Sequence, residues 1–466
     1  MRSRSSWPAV AVIGLALIGC GGAAPVSPPA SASLAASSAP APKPVASASA
    51  SPAAVSSPAA SAAASVAPSS ATIKVGLIET LTGPLANSGK DNLDAYNLYL
   101  SSTGNKLAGK SLDVVVVDDG GQPDAGLTKT KQLVENDKVA VLMGVHSSAV
   151  CYPVAQYANQ VQIPFLVTGN CGGMLLTTDP KIANPYTARF TDVATADQDP
   201  MADWASAKYK KAILITTDFA AGYEQADAFA SAFVKRGGKI LQEMHPTLGT
   251  TDFGPYIAQF SQDADSIVEF LPGIDALRFM EQYSSYAGKT RPQMLDLTAQ
   301  IVAGPNLAQL KTKADGVIAN KMYTEAADFP ENQAMQKAWA AKYPGRPMSA
   351  DVANGYAGAQ ILEAALKKVN GDLSDKQKFL QAVYNMDVVT GKGRVKLDDA
   401  HDIVENMYIF QEVPQGDSVA PKLVKTYELV GRTWDRTAQE LANFPFGKLK
   451  GKWPTITADQ IPNLKA

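Results

Sequence analysis

The sequence has few cysteines and histidines, and neither sign of charge is in excess. His146, His245 and His401 lie far apart, and no two cysteines have the spacing of a zinc site, so no metal is expected. The formal net charge is -2 and the lysines and arginines are dispersed, which argues against a nucleic-acid partner. Gly391-Lys392-Gly393 lacks the loop length and the flanking Ser or Thr of a phosphate-binding loop, so no cofactor is expected.

Long apolar runs are also missing, apart from a short one at the N-terminus. Arg2 and Arg4 precede the apolar run Ala9–Ile18, which ends in Leu17-Ile18-Gly19-Cys20. A basic start, a short apolar core and small residues indicate a secretory signal over residues 1–19, too short to span a membrane. Its ending on a cysteine resembles the lipobox of bacterial lipoproteins, which implies cleavage before Cys20 and attachment of lipid to it. The alternative is an ordinary signal peptide with an incidental cysteine.

A segment of low complexity follows the signal. Residues 20–71 are almost wholly Ala, Ser and Pro, with Lys43 as the only charge. This composition cannot bury enough apolar surface to offset the entropy of ordering, so a disordered tether is predicted. The protein is therefore expected to be exported and held by its lipid alone, in the periplasm or at the outer face of the cytoplasmic membrane.

If Cys20 carries lipid, Cys151 and Cys171 remain as an even pair in an oxidising compartment. A disulfide between them is one expectation. Two free buried thiols are the other, because the distance between the residues is not given by the sequence.

From Ile73 onward, short β-rich runs alternate with amphipathic helices, which predicts an α/β fold. One series ends near Val167 and a second runs from Lys211 to Tyr323. Their continuous Val and Ile runs indicate parallel sheets covered on both faces. Three helices and two late β-rich runs follow, and Trp434 and Trp453 are expected to pack the irregular C-terminal extension, 431–466, onto a lobe.

Two adjacent hydroxyls lie where a predicted buried strand meets a predicted helix. The strand lies within Val139–Ser148 and the helix covers Ala149–Gln160, so Ser147 and Ser148 lie beside a helix N-terminus. Such a terminus can hold a small anion, although a serine there can equally be an N-cap. His146 beside Ser147 raises the alternative of a hydrolase, but no Gly-x-Ser-x-Gly elbow is present. Enzyme chemistry is therefore not expected.

Several loops at the ends of predicted strands follow one another in an informative order. They are Leu81–Gly89, Asp118-Asp119, Gly144–Ser148, Ile163–Phe165 leading to Thr168–Asn170, and Thr216–Gly222. In that order they resemble loops of the periplasmic substrate-binding proteins of the leucine/isoleucine/valine-binding type, which serve ABC importers. The resemblance runs from about Ile73 to about Tyr427.

The resemblance implies two Rossmann-like α/β lobes with parallel sheets, joined by a three-strand hinge and closing over a ligand held mostly by lobe 1. Lobe 1 is then residues 72–190 plus 324–402, and lobe 2 is 191–323 plus 403–430. The implied partners are a small-molecule solute and the permease and ATPase of an importer, and a monomer is expected. A sensor of the same fold, which signals ligand occupancy to a partner, is the alternative.

The resemblance also implies which residues bind the ligand. Ser147 and Ser148 match the loop that holds the ligand carboxylate, so a bulky residue at 148 should abolish binding and barely change thermal unfolding. The implied site is Ser88, His146, Ser147, Ser148, Ala149, Asn170, Cys171, Gly172, Phe219, Ala221, Phe270, Asp296 and Thr298.

Two departures from the family pattern bear on the substrate. The loop Asn170–Gly173 lacks the hydroxyl that amino-acid binders offer, and Thr298 stands where they place an acidic residue, with Asp296 two residues away. A ligand ammonium without a carboxylate partner in a closed cleft would be costly. The ordinary branched-chain amino acids are therefore less favoured than another amino acid-like solute or an aromatic or other organic acid.

Overall fold

The computed structural model describes residues 72–285 and 291–465, all within one compact unit. The predicted signal sequence, Cys20 and the whole predicted tether, residues 20–71, lie outside the described residues. Within the described ranges, no helix is both long and apolar enough to cross a membrane.

The first sheet has six strands, and its centre is buried on both faces. In the first strand Val75 and Leu77 enter one apolar cluster and Ile78 enters another, so helices cover both sides of the sheet. Five strands are parallel, and a two-residue strand is antiparallel to its neighbour. The strands are β1 (Ile73–Glu79), β2 (Lys106–Leu107), β3 (Lys110–Asp118), β4 (Val141–Gly144), β5 (Phe165–Val167) and β6 (Thr187–Arg189), in the order β2-β3-β1-β4-β5-β6.

The second sheet is mixed, which corrects the prediction of a purely parallel one. Its first five strands in the chain pair in parallel, but the last four form antiparallel pairs. The strands are β7 (Lys211–Thr216), β8 (Lys239–Met244), β9 (Ser266–Phe270), β10 (Gln293–Asp296), β11 (Ile318–Lys321), β12 (Asp387–Thr390), β13 (Gly393–Leu397), β14 (Ile403–Gln415) and β15 (Ser418–Val430). They lie in the order β12-β13-β14-β11-β10-β9-β7-β8, and β15 pairs with β14.

The two late β-rich runs form one long hairpin. Gln415 faces Ser418 across a two-residue turn, in which Gly416 has a φ of 63°. Glycine adopts this left-handed conformation without steric cost, so Gly416-Asp417 is a typical hairpin turn. The antiparallel pairing of β14 with β15 follows from this turn.

The helices cover the sheets, and several differ from the predicted ones. A helix at Ala194–Ser206 and the β12–β13 hairpin were not predicted from the sequence. The helices are α1 (Ala86–Ser102), α2 (Pro123–Glu135), α3 (Ser148–Val161), α4 (Leu175–Thr178), α5 (Ala194–Ser206), α6 (Ala220–Lys235), α7 (Gly254–Ile257), α8 (Ile274–Tyr283), α9 (Gly304–Leu310), α10 (Pro330–Lys342), α11 (Ala350–Lys368), α12 (Lys376–Tyr384) and α13 (Ala438–Asn443).

The chain passes three times between the sheets: from β6 to β7, from β11 to α10, and from α12 to β12. Helix α11 returns to pack along α1. We call the first sheet with its helices lobe 1 and the second sheet with its helices lobe 2. A bridge between Arg189, in β6, and Asp402, before β14, joins their edges.

The C-terminal extension packs onto lobe 2. Trp453 is fully buried, and its Nε1 donates to Asp227 of α6 at 2.7 Å. Trp434 meets the edge of the Tyr427 ring at 5.4 Å but stays 38% exposed. Trp453 therefore anchors the extension as predicted, and Trp434 contributes less.

Candidate functional site

A cavity of about 30 Å³ lies where strand-end loops of both lobes meet. This volume holds about two water molecules and is far below that of a typical ligand pocket. The lobes are therefore closed against each other, and a solute needs them to separate. The predicted residues that line the cavity are Ser88, His146, Asn170, Gly172, Phe219, Ala221, Phe270 and Thr298.

Five predicted residues do not line this cavity: Ser147, Ser148, Ala149, Cys171 and Asp296. Ser148 is fully buried, and its Oγ accepts the N–H of Gly173 at 3.1 Å. Ser147 occupies the N-cap position of α3 but forms no side-chain cap with any described residue. A bulky residue at 148 is therefore expected to destabilise the fold as well as to affect binding, because a fully packed position has no room for it.

A disulfide joins Cys151 of α3 to Cys171 in the loop after β5, with their Cα atoms 6.4 Å apart. The prediction of a disulfide is therefore confirmed, and the alternative of two free thiols is wrong. The same loop is held by Arg189, whose Nη1 donates to the carbonyl oxygens of Cys171 at 2.9 Å and Gly173 at 2.7 Å. Cys171 therefore shapes the cleft wall without lining the cavity.

Asn170 reaches the cavity from this same loop and is oriented by α11. Its Nδ2 donates to Asp351, and its Oδ1 accepts from Asn354 at 3.1 Å. Both ends of the Asn170 amide are thus engaged, so its orientation is set before a ligand arrives.

Asp296 stabilises a turn instead of facing the cavity. Its Oδ1 accepts the N–H of Gln300 at 2.7 Å and its Oδ2 accepts that of Ile301 at 2.9 Å. Burial raises the pKa of Asp296 to about 7 despite these hydrogen bonds. The turn places Thr298, with a φ of 61°, at the cavity. Asp296 is therefore a positioning residue for Thr298.

The polar centre of the lobe 1 wall is a buried pair. His146 Nε2 and Glu79 Oε2 are 2.5 Å apart, and both side chains are almost fully buried. Burial alone would lower the pKa of His146, but the charge and hydrogen bond of Glu79 outweigh it and raise that pKa to about 9. Burial also raises the pKa of Glu79. The pair therefore keeps a proton at neutral pH.

Lobe 2 contributes an aromatic wall. Phe219, at the start of α6, and Phe270, at the end of β9, stack with their ring centroids 6.4 Å apart and their planes 19° from parallel. Both rings line the cavity. This wall is suited to a flat apolar group.

Sequence reasoning missed several residues at the cavity, because their partners are distant in the chain. Asp192 lines the cavity, and its Oδ2 lies 2.9 Å from Nζ of Lys321 in β11. Gln225 of α6 lines it too and accepts a hydrogen bond from Gln198 at 2.8 Å. The one sequence signal for a polar group at this wall was Glu79, an acidic residue that directly follows the apolar run Val75–Ile78.

One further contact joins the lobes. Tyr152 of α3 donates to the carboxylate of Glu224 in α6, at 2.6 and 2.7 Å to its two oxygens. Glu224 also accepts the N–H of Met174 at 2.8 Å. A lobe 2 carboxylate is thus held by two lobe 1 donors in the closed form.

In the part of the chain that is described, no group of three or more His, Cys, Asp or Glu side chains could hold a metal ion. The cleft therefore offers hydrogen bonds, one protonated pair and an aromatic wall as its means of recognition.

Comparison with known proteins agrees with this architecture. The family described as periplasmic binding protein matches residues 72–417. The Leu/Ile/Val-binding protein homolog 6 of Brucella melitensis is 27% identical over 368 residues, 77% of this chain and 92% of the relative.

Two solved structures are similar in fold. The ABC transporter substrate-binding protein from Sphaerobacter thermophilus is 28% identical, with a TM-score of 0.72 over 78% of this chain and 99% of that one. A solute binding protein of an ABC transporter from Rhodopseudomonas palustris BisB5, in complex with 3,4-dihydroxy benzoic acid, is 26% identical, with a TM-score of 0.73 over the same shares. Since the family match spans most of the chain, the protein belongs to the periplasmic binding protein family, in its two-lobed type I form.

Proposed function

We propose that this protein captures a small aromatic carboxylate of the hydroxybenzoate class in its cleft and delivers it to the permease and ATPase of an ABC importer. The observation that carries this proposal is that the stacked pair Phe219 and Phe270 lines the same cavity as His146, whose imidazole is protonated at neutral pH. The similar protein from Rhodopseudomonas palustris binds 3,4-dihydroxy benzoic acid, a member of this class.

The aromatic ring of such a ligand suits the lobe 2 wall. Aromatic pairs prefer offset-stacked or edge-to-face arrangements and gain about 0.5–1.5 kcal/mol beyond the burial of area. Phe219 and Phe270 both line the cavity, and their ring planes are 19° from parallel. An aliphatic side chain would bury similar area but would not gain this term.

The carboxylate suits the lobe 1 wall. The pKa of His146 is raised to about 9, so the imidazole side of the pair is protonated at neutral pH. Helix α3 begins at Ser148, and its first N–H groups lack partners within the helix and carry partial positive charge. Ser147, Ser148 and Ala149 do not line the closed cavity, so the carboxylate would hydrogen-bond to the protonated His146, and the helix terminus would favour its negative charge without direct contact.

The acidic residue of the cavity lining suits a hydroxyl better than an ammonium. Asp192 is already paired with Lys321, which neutralises its charge. Its Oδ1 is buried and has no hydrogen-bond partner among the described residues, so it can accept one bond from a phenolic hydroxyl. Asp296 is engaged in its own turn, and an amino-acid ammonium would lack an unpaired carboxylate.

Calorimetry with 4-hydroxybenzoate, benzoate and leucine tests the proposal. We expect the tightest binding for 4-hydroxybenzoate, about 10-fold weaker binding for benzoate because one hydrogen bond is missing, and no measurable binding for leucine. Phe219→Leu should weaken both aromatic ligands while the exposed control Leu423→Ala leaves them unchanged. Tight leucine binding without binding of either benzoate would overturn the proposal.

We also propose that Cys20 carries lipid and that residues 20–71 tether the folded part to a membrane. The basic start and short apolar run before Cys20 support this. In a bacterial host, the full chain should incorporate labelled fatty acid and fractionate with membranes, and Cys20→Ala should do neither. Labelling that persists in Cys20→Ala would contradict the assignment.

A further inference from the structure

A second cavity, of about 300 Å³, lies beside the β14–β15 hairpin. It shares no lining residue with the cleft cavity, although Ala299 lines it while Thr298 and Gln300 line the cleft. Its volume is at the lower end of the range for small-molecule sites. The cavity is therefore large enough for a ligand of its own.

The unusual feature of this cavity is a buried acidic side chain without a positively charged partner among the described lining residues. Glu412 of β14 is 1% exposed, and its Oε2 has no hydrogen-bond partner among the described residues. Glu325, after β11, lines the same cavity and accepts the N–H of Met348 at 3.1 Å. Within the described residues, no lysine, arginine or histidine lines the cavity.

Two carboxylates in one buried cavity raise the free energy of the folded state unless a cation neutralises their charge. Burial, together with the charges of Glu325 and Asp296, raises the pKa of Glu412 to about 8. An unpaired buried carboxylate either takes up a proton or needs an opposite charge. A positively charged ligand would supply that charge.

The walls select among cations. Hard metal ions such as Ca²⁺ need about six to eight oxygen ligands, and two carboxylates do not provide them. Phe410, Val302 and Leu307 make much of the lining apolar, and Tyr323 adds a second ring. Aromatic faces and apolar walls beside a carboxylate favour an ammonium that carries alkyl groups.

We propose that this cavity binds a small organic ammonium ion, with its charged head at Glu412 and Glu325 and its alkyl groups against Phe410 and Val302. The proposal does not depend on which solute occupies the cleft.

Choline and its neutral isostere 3,3-dimethylbutan-1-ol provide the test, by calorimetry on the full folded protein. We expect saturable binding of choline and much weaker binding of the neutral compound. Glu412→Gln should weaken choline binding by about 30-fold or more, the low end of the cost of removing one member of a buried charge pair. Glu428→Gln, an exposed carboxylate on the neighbouring strand, is the matched control and should bind choline as the wild type does.

Glu325→Gln provides a second variant if Glu412→Gln does not fold, and it should weaken choline binding in the same direction. An excess of 4-hydroxybenzoate should leave choline binding in place. Equal binding of the two isosteres, an equal loss in the Glu428→Gln control, competition with the cleft ligand, or no binding of choline up to millimolar concentrations would each overturn the proposal.

Discussion

At the lobe 1 wall of the cleft, Glu79 and His146 hold a proton between two side chains that are both withdrawn from water. Each group alone would be destabilised in its charged form, because burial removes the water that solvates the charge. Asp119 and Asp351 add negative charge nearby and favour the protonated imidazole. With one proton between them the two side chains carry no net charge, so what the pair offers the cavity, which His146 lines, is a protonated imidazole as a hydrogen-bond donor.

The pair predicts how stability depends on pH. The pKa of His146 is about 9 in the folded protein and 6.5 ordinarily, so the stability it contributes is complete below pH 6.5 and is lost as pH rises through 9. Burial raises the pKa of Glu79 above 4.5, so the stability that it contributes also falls as pH rises, beginning at a lower pH than for His146. The free energy of unfolding should therefore fall over this window, by on the order of 3 kcal/mol at most.

Urea unfolding followed by circular dichroism at several pH values measures this effect. His146→Gln should be less stable at pH 6.5 and should show a shallower fall towards alkaline pH. His401→Gln is a suitable control, because burial lowers the pKa of His401 and the residue is neutral throughout the window. Parallel pH profiles for His146→Gln and the wild type would contradict the assignment.

At the scale of elements, sequence periodicity predicted most of the parallel strands and the two long strands β14 and β15, but it missed the short strand β6 and the β12–β13 hairpin. Strands such as β1 and β7 contain continuous apolar runs, Val75–Ile78 and Ala212–Ile215, so their burial is visible locally. Helix α5 was missed because buried polar residues such as Asp197 and Gln198 interrupt its apolar pattern. These residues have partners in other elements, and a local pattern contains no information about them.

The same limit applies to the candidate site. Strand-end loops were predictable because parallel strands bring their carboxyl ends to one edge. Which loop residues reach the cavity was not, because Ser148 and Asp296 are engaged by Gly173 and by the turn that follows β10. Serine and aspartate are both residue types that could bind a solute. Only their hydrogen bonds in the folded protein show that these two side chains stabilise the loops instead.

The C-terminal extension is a further element whose role depends on distant partners. Arg436 lies 2.8 Å from Asp199 of α5 through its Nε, and Trp453 donates to Asp227 of α6. Lys450 pairs with Asp218, the residue before Phe219. The extension lies beyond the family match and supports the helices and loop that carry the aromatic wall.

For the whole molecule, capture requires that the ligand favours the closed form over the open one. The protein already contributes to that preference, because Tyr152 and the N–H of Met174, both in lobe 1, hold Glu224 of lobe 2. Interlobe contacts of this kind raise the fraction of closed molecules before binding. Ligand affinity therefore depends on residues that the ligand does not touch.

Tyr152→Phe removes the interlobe hydroxyl while keeping the ring, and we expect it to weaken 4-hydroxybenzoate binding by about 10-fold, since a hydrogen bond to a charged group contributes about 1.5–3 kcal/mol. Small-angle scattering should show a larger radius of gyration without ligand than for the wild type. Tyr99→Phe is the matched control, because Tyr99 donates to Glu363 at 2.6 Å within lobe 1. If both variants lose affinity equally, or if neither does, then the Tyr152 contact has no specific part in closure.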